Sequence, residues 1–149
     1  MITQALPVSM LAEVLRGVHN FDSDTFYLAL YTQDADLSIS TTVYTPVGEV
    51  VGQGYTAGGI QLVNLGVHIG GTNAYTSWAD AIWSGPNNFN VAGGLVYNAS
   101  KGNAAVDVLS FGMQYIVNTP GNFTVRFPPN TSTTAPIIFG GGIYGTGVN

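Results

Sequence analysis

Charge is what this sequence has least of. Of its 149 residues only Arg16, Lys101 and Arg126 carry a fixed positive charge, eight Asp or Glu complete a charged fraction of 7%, and the formal net charge is −5. Soluble domains average about 25% charged residues, so Asn, Thr, Ser, Gln, Gly and backbone amides must wet most of this surface. Burying Lys or Glu at an interface costs desolvation and side-chain entropy, and interface cores are depleted in them. A chain this poor in charge therefore reads as a standing subunit of an assembly. Three dispersed cations form no basic patch that could displace counterions from phosphates, which argues against a nucleic-acid partner.

Cysteine is absent altogether, which excludes disulfides and thiolate-ligated zinc or iron–sulfur sites. No run approaches the ~20 apolar residues of a membrane-spanning helix. Residues 1–20 contain Glu13 and Arg16 and no continuous apolar stretch, so they do not read as a secretory leader. The expectation is a protein made in a cytoplasm, with no membrane partner. Imidazoles are also scarce: His19 and His68 are the two in the chain, and no Ser lies in a GxSxG elbow. No cofactor or metal is expected, and no catalytic constellation stands out.

What is present is apolar and aromatic. Hydrophobic residues make up 46% of the chain, with seven Phe, eight Tyr and two Trp, a composition that excludes intrinsic disorder. The length predicts one domain over 1–149. Val8, Leu11, Ala12, Leu15 and Val18 recur at spacings of three and four, which predicts a short amphipathic helix within 1–20, ending between Gly17 and Asn20. From 21 to 139 the period becomes two. In TFYLALYT (25–32) Phe26, Leu28 and Leu30 share one face and Tyr27, Ala29 and Tyr31 the other, as in a central strand covered on both sides.

Further strands are expected over 47–52, 59–65, 74–83, 89–98, 104–111, 122–127 and 135–139, separated by turn formers such as Thr45-Pro46, Gly70-Gly71 and Gly85-Pro86-Asn87-Asn88. About eight short strands with no helix between them predict an all-β antiparallel sandwich or jelly roll carrying a short N-terminal α-helix. Residues 140–149 (GGGIYGTGVN) are too Gly-rich for a regular element and read as a C-terminal arm, with Ile143 and Tyr144 as its anchors.

Several short motifs invite chemistry, and each has a plainer structural role. Gly52 to Gly58 (GQGYTAG) matches a glycine-rich phosphate loop, but a strand rather than a helix N-terminus follows it, so a glycine-permitted turn is the better reading. Tyr97 and Lys101 have dehydrogenase spacing, yet they straddle what reads as a hairpin loop, Asn98 to Asn103. Asp22/Asp24 and Asp34/Asp36 lack the spaced ligands of a calcium loop. Trp78, Trp83, Tyr75 and Phe89 could line a sugar groove, but alternation directs several of them inward.

One combination is more specific. Residues 44–59 (YTPVGEVVGQGYTAGG), followed in order by 74–83, 94–103 (GLVYNASKGN), 108–112 (VLSFG) and 121–128 (GNFTVRFP), resemble small structural proteins of tailed bacteriophages over about 26–136. The resemblance implies a virion structural protein, and among such proteins a capsid decoration (cement) protein fits the size and the charge poverty. With the decoration reading come three further expectations: the capsid surface as location, the major capsid protein as partner and a homotrimer as oligomer. A tail, baseplate or head–tail connecting component, or a carbohydrate-binding module, are the alternative expectations. The contact residues expected from the sequence are Leu11, Leu15 and Arg16 on the helix, Lys101 at the hairpin tip, and Ile143 and Tyr144 in the arm.

Overall fold

The two-sided alternation of 25–32 becomes strand β1 (Phe26–Tyr31), an inner strand of the largest sheet, in a computed structural model that describes residues 1–141. The remaining elements are α1 (Val8–Leu15), β2 (Ile60–Gln61), β3 (Asn64–Gly70), β4 (Asn73–Trp78), β5 (Ala81–Trp83), β6 (Asn87–Asn98), β7 (Ala104–Thr119), β8 (Phe123–Val125) and β9 (Ile137–Gly140). The protein is all-β with one short N-terminal helix. All strand pairs among the described residues are antiparallel, in sheets ordered β2-β1-β6-β7, β3-β4-β9 and β5-β8.

The four-stranded sheet is the centre, and register explains why. Pairing Leu28 with Val96 and Ala29 with Leu95 keeps the alternation of β1 and β6 in phase, so each face is apolar as a unit. On one face Phe26, Leu28, Leu30, Phe89 and Val91 meet Trp78, Trp83, Val125 and Ile137 from the smaller sheets, with Phe127 just beyond β8 and Met10 of α1. On the other face Ala29, Tyr31, Leu95, Tyr97 and Val108 are covered by Ala35, Leu37 and Tyr44, which come from a long irregular segment.

Five local expectations change. Residues 47–52 form no strand; they belong to a strap, 32–59, whose backbone pairs with the sheets only through isolated bridges such as Tyr31↔Glu49 and Gln53↔Asn88. The 74–83 run breaks at Ala79-Asp80 into β4 and β5. The β7 strand runs to Thr119 instead of stopping at Phe111, and β3 reaches Gly70 because Val67, His68 and Ile69 pair with β4. The helix stops at Leu15, where Gly17 turns the chain at φ 72°.

The face of α1 that turns inward also differs from the periodic one. Met10 is fully buried and Leu6 and Val14 pack against the core, whereas Leu15 is 89% and Val8 56% exposed. Spacings of three and four pick out an apolar stripe but not which of two stripes meets the sheet. Met10→Ala should therefore lower the unfolding free energy by about 2–5 kcal/mol, while Leu15→Ala stays within about 0.5 kcal/mol. Urea denaturation of the two variants checks this, and equal costs would contradict the inward assignment of Met10.

Candidate functional site

The strap 32–59 has no ladder of its own, so its backbone must be held by other means. Glu49 supplies them. Its Oε1 accepts from the Tyr55 hydroxyl at 2.5 Å and the Gly58 amide at 2.6 Å, and its Oε2 accepts from the Tyr44 hydroxyl at 2.7 Å. The residue is only 9% exposed, and a desolvated carboxylate with three donors makes short, charge-assisted bonds. The Tyr55 hydroxyl in turn accepts the Leu30 amide at 3.0 Å, tying the network to β1. The Tyr97 hydroxyl donates to the Gly58 carbonyl at 2.7 Å and the Tyr31 hydroxyl to the Thr45 carbonyl at 2.6 Å.

Glycine is required at two points of this strap. Gly59 sits at φ 79°, and a Cβ there would run into the Leu28 carbonyl; Gly48 sits at φ 78° against the Ala35 backbone. The glycine-rich 52–59 stretch thus serves close approach to the sheet, and among the described residues it is followed by strand β2 (Ile60–Gln61) rather than by a helix N-terminus.

All four phenols are pushed upward. Burial followed by the hydrogen bond to Glu49 raises Tyr44 and Tyr55, burial followed by the Glu49 charge raises Tyr31, and the same two causes push Tyr97 up to about 12. A second polar cluster locks α1 to the sheet. The Asn98 amide nitrogen donates both to His19 Nδ1 at 2.9 Å and to Asp24 Oδ2 at 2.8 Å, while its oxygen accepts the Ser100 amide at 3.0 Å. Nδ1 being the acceptor places the His19 proton on Nε2, 3.5 Å from Glu13 Oε1. Burial alone would raise the Asp24 carboxyl; bonds from Asn20 and Asn98 and the Lys101 charge outweigh it and hold the group below its ordinary value. Asp107, buried in β7, has an oxygen without a hydrogen-bond partner, and burial pushes its carboxyl well up.

These clusters are structural in their geometry. His19 is buried beside Asn98, whereas His68 lies exposed on β3, stacked on Tyr75. Tyr97 faces the strap and Lys101 is exposed at the hairpin turn, so the pair does not converge. Trp78 and Trp83 are 2% and 3% exposed and fill the core, so neither serves as an aromatic platform for a sugar.

The surface is the remaining candidate. Leu11 is marginally exposed, and Leu15, Arg16 and Lys101 are plainly exposed, all four on the sheet end that carries the Asn98–Ala104 turn or on the helix beside it. Ile143 and Tyr144 lie outside the described residues. Sequence reasoning misses Val51, 91% exposed on the strap, Ile69, 84% exposed on β3, and Ile116, 80% exposed on β7. Their signal is ambiguous in the sequence, since an apolar residue in an alternating run reads as core.

The Glu49 network makes two expectations. Glu49→Ala leaves the Tyr44 and Tyr55 hydroxyls without their acceptor and should cost about 3–5 kcal/mol in urea denaturation, against about 1–2 kcal/mol for Tyr44→Phe. In the unfolded chain the phenols ionise near the ordinary value of 10 while these four keep their protons. Above that pH the unfolded state binds fewer protons, so stability that is complete below 10 is lost as pH rises through the folded values. Tyrosinate absorbance should then rise together with loss of near-ultraviolet circular dichroism; independent titration of all phenols with the fold intact would refute the assignment.

No protein-family model, no curated protein and no solved structure matches this chain.

Proposed function

We propose that this protein is a structural subunit of a tailed-bacteriophage particle, a capsid decoration protein that binds across neighbouring copies of the major capsid protein as a homotrimer. The observation that carries the reading is the two-sided helix: α1 buries Met10 in its own core and presents Val8, Leu11 and Leu15 outward. A surface helix is ordinarily polar on its outer side, and an apolar outer stripe marks a protein contact. The strap and β3 add further exposed apolar residues, Val51 and Ile69, on other parts of the surface.

A cementing subunit needs just such a distribution. It performs no bond chemistry; it must hold two or more neighbours at once on a rigid body. Once one contact forms, the next is effectively intramolecular, so weak individual contacts add to strong retention on a lattice. The Glu49 network and the His19–Asn98–Asp24 lock supply the rigidity by fixing the strap and the helix to the central sheet. The likeness of 44–59 and the following segments to phage structural proteins supplies the setting.

Quantitative mass spectrometry of purified particles is the direct test. The decoration reading expects a copy number that follows the capsid lattice, and particles stripped of the protein should lose resistance to heat and regain it when the protein is added back. A copy number typical of a tail or connector, or stripped capsids with undiminished heat resistance, would exclude the cementing role.

A further inference from the structure

The few surface charges are separated along the sheet. At one end, β6 turns into β7 through Asn98 and Gly102, and this end carries Lys101. The last turn of α1 reaches the same end, since His19, three residues after Arg16, is bonded to Asn98. Two of the chain's three fixed cations, Arg16 and Lys101, therefore lie at the same end of the sheet, both exposed and neither in an ion pair among the described residues. The third, Arg126, lies 3.9 Å from Asp80.

At the other end, beyond Tyr31 and its partner Gly93, the strap begins with Gln33, Asp34 and Asp36. Asp36 has the N-terminal ammonium at 4.0 Å, whereas exposed Asp34 has no cation beside it among the described residues. Asp34 lies on the rim of a concavity of about 470 Å³ whose walls include Met1, Ile2 and Met113. Arg16 and Lys101 lie at one end of the sheet; at the other is this hollow, in which Met1, Ile2 and Met113 stand beside the polar Gln33, Ser110 and Gln114 and the acidic Asp34.

We propose that the hollow receives Leu15 and Arg16 of a second copy of this chain, Leu15 seated among Met1, Ile2 and Met113 and Arg16 paired with Asp34. Leu15 is the knob this requires: it is 89% exposed at the end of a helix fixed to the core by Met10 and His19. Charge complementarity selects the occupant, because the only unpaired fixed cations among the described residues are those beside this knob. The contact is heterologous, with different surfaces on the two copies, so its repetition closes a ring when the rotation between copies permits and extends a filament when it does not. It names the homotypic contact within the proposed assembly and rests on that reading for its biological purpose only.

The experiment is sedimentation equilibrium and light scattering of the purified chain over a range of concentration and salt. Wild-type protein should self-associate, less so at high salt. Asp34→Arg and Arg16→Asp should each weaken association about tenfold or more, and the Asp34→Arg/Arg16→Asp double variant should restore it by reconstituting the pair with its signs exchanged. Both positions are exposed, so unchanged thermal unfolding serves as the folding control, and Leu15→Ala should weaken association without affecting charge. A wild-type chain that stays monomeric, or association indifferent to both reversals, would overturn the contact. Retention of such a monomeric chain on stripped capsids would overturn the contact, and with it the trimer in solution, and leave capsid decoration in place.

Discussion

One buried carboxylate is the hub of the bonds that hold a segment covering a whole face of the central sheet. Residues 32–59 make almost no ladder hydrogen bonds, yet they bury Ala35, Leu37 and Tyr44 against Tyr31, Leu95 and Tyr97. Apolar burial favours coverage of that face without specifying a path for the backbone. Glu49 specifies it, because its two oxygens fix a near residue, Tyr44, and two more distant ones, Tyr55 and Gly58, at 2.5–2.7 Å. With Tyr55 bonded to Leu30, the path of the strap is referred to the strand beneath it. The glycines of 52–59 then have a reason: donors on a turn must come close enough to reach a buried acid.

The same logic extends to the opposite face. Helix α1 is short and has Pro7 rather than a hydrogen-bonding side chain at its N-cap, so little of its stability is intrinsic. It is held by Met10 in the core and, beyond its last turn, by the hydrogen bonds of Asn98 to His19 and Asp24. Asn98 fits this role because its amide donates twice and accepts once at a site from which water is excluded. A helix fixed in this way presents Leu15 and Arg16 at a defined position, which a binding knob requires and a frayed terminus would not provide.

The all-β class, the N-terminal helix and the central position of β1 were legible in the sequence, because period-two alternation with both faces apolar is what an inner strand of a covered sheet requires. The strap was not. Val47, Val50 and Val51 supply β-branched residues that resemble a strand, but Val50 points into the core while Val51 is exposed, and the Thr45-Pro46 and Gly48 turns prevent regular pairing. Helical periodicity found α1 and chose its outer stripe, since Val8, Leu11 and Leu15 are as apolar as Met10 and Val14. For the candidate surface, Leu15, Arg16 and Lys101 were legible as exposed positions. The concavity around Met113 was not, because it joins residues from the N-terminus, the strap and β7.

Burial makes the surface poorer in charge than the composition suggests. Three of the eight acids, Asp24, Glu49 and Asp107, are buried, and Glu13 is turned toward His19. The acids left to face solvent are Asp22, Asp34, Asp36 and Asp80, and of these Asp22 caps the Val67 amide and Asp80 neighbours Arg126. Long-range repulsion between copies is correspondingly weak, and little charge must be desolvated when apolar patches meet. Affinity then comes from apolar area and short-range hydrogen bonds, and apolar area is tolerant of orientation. Specificity has to come from the few charges that remain, and Asp34, without an ion pair among the described residues, at one end with Arg16 and Lys101 at the other favours the proposed head-to-tail contact over approaches that bring like charges together.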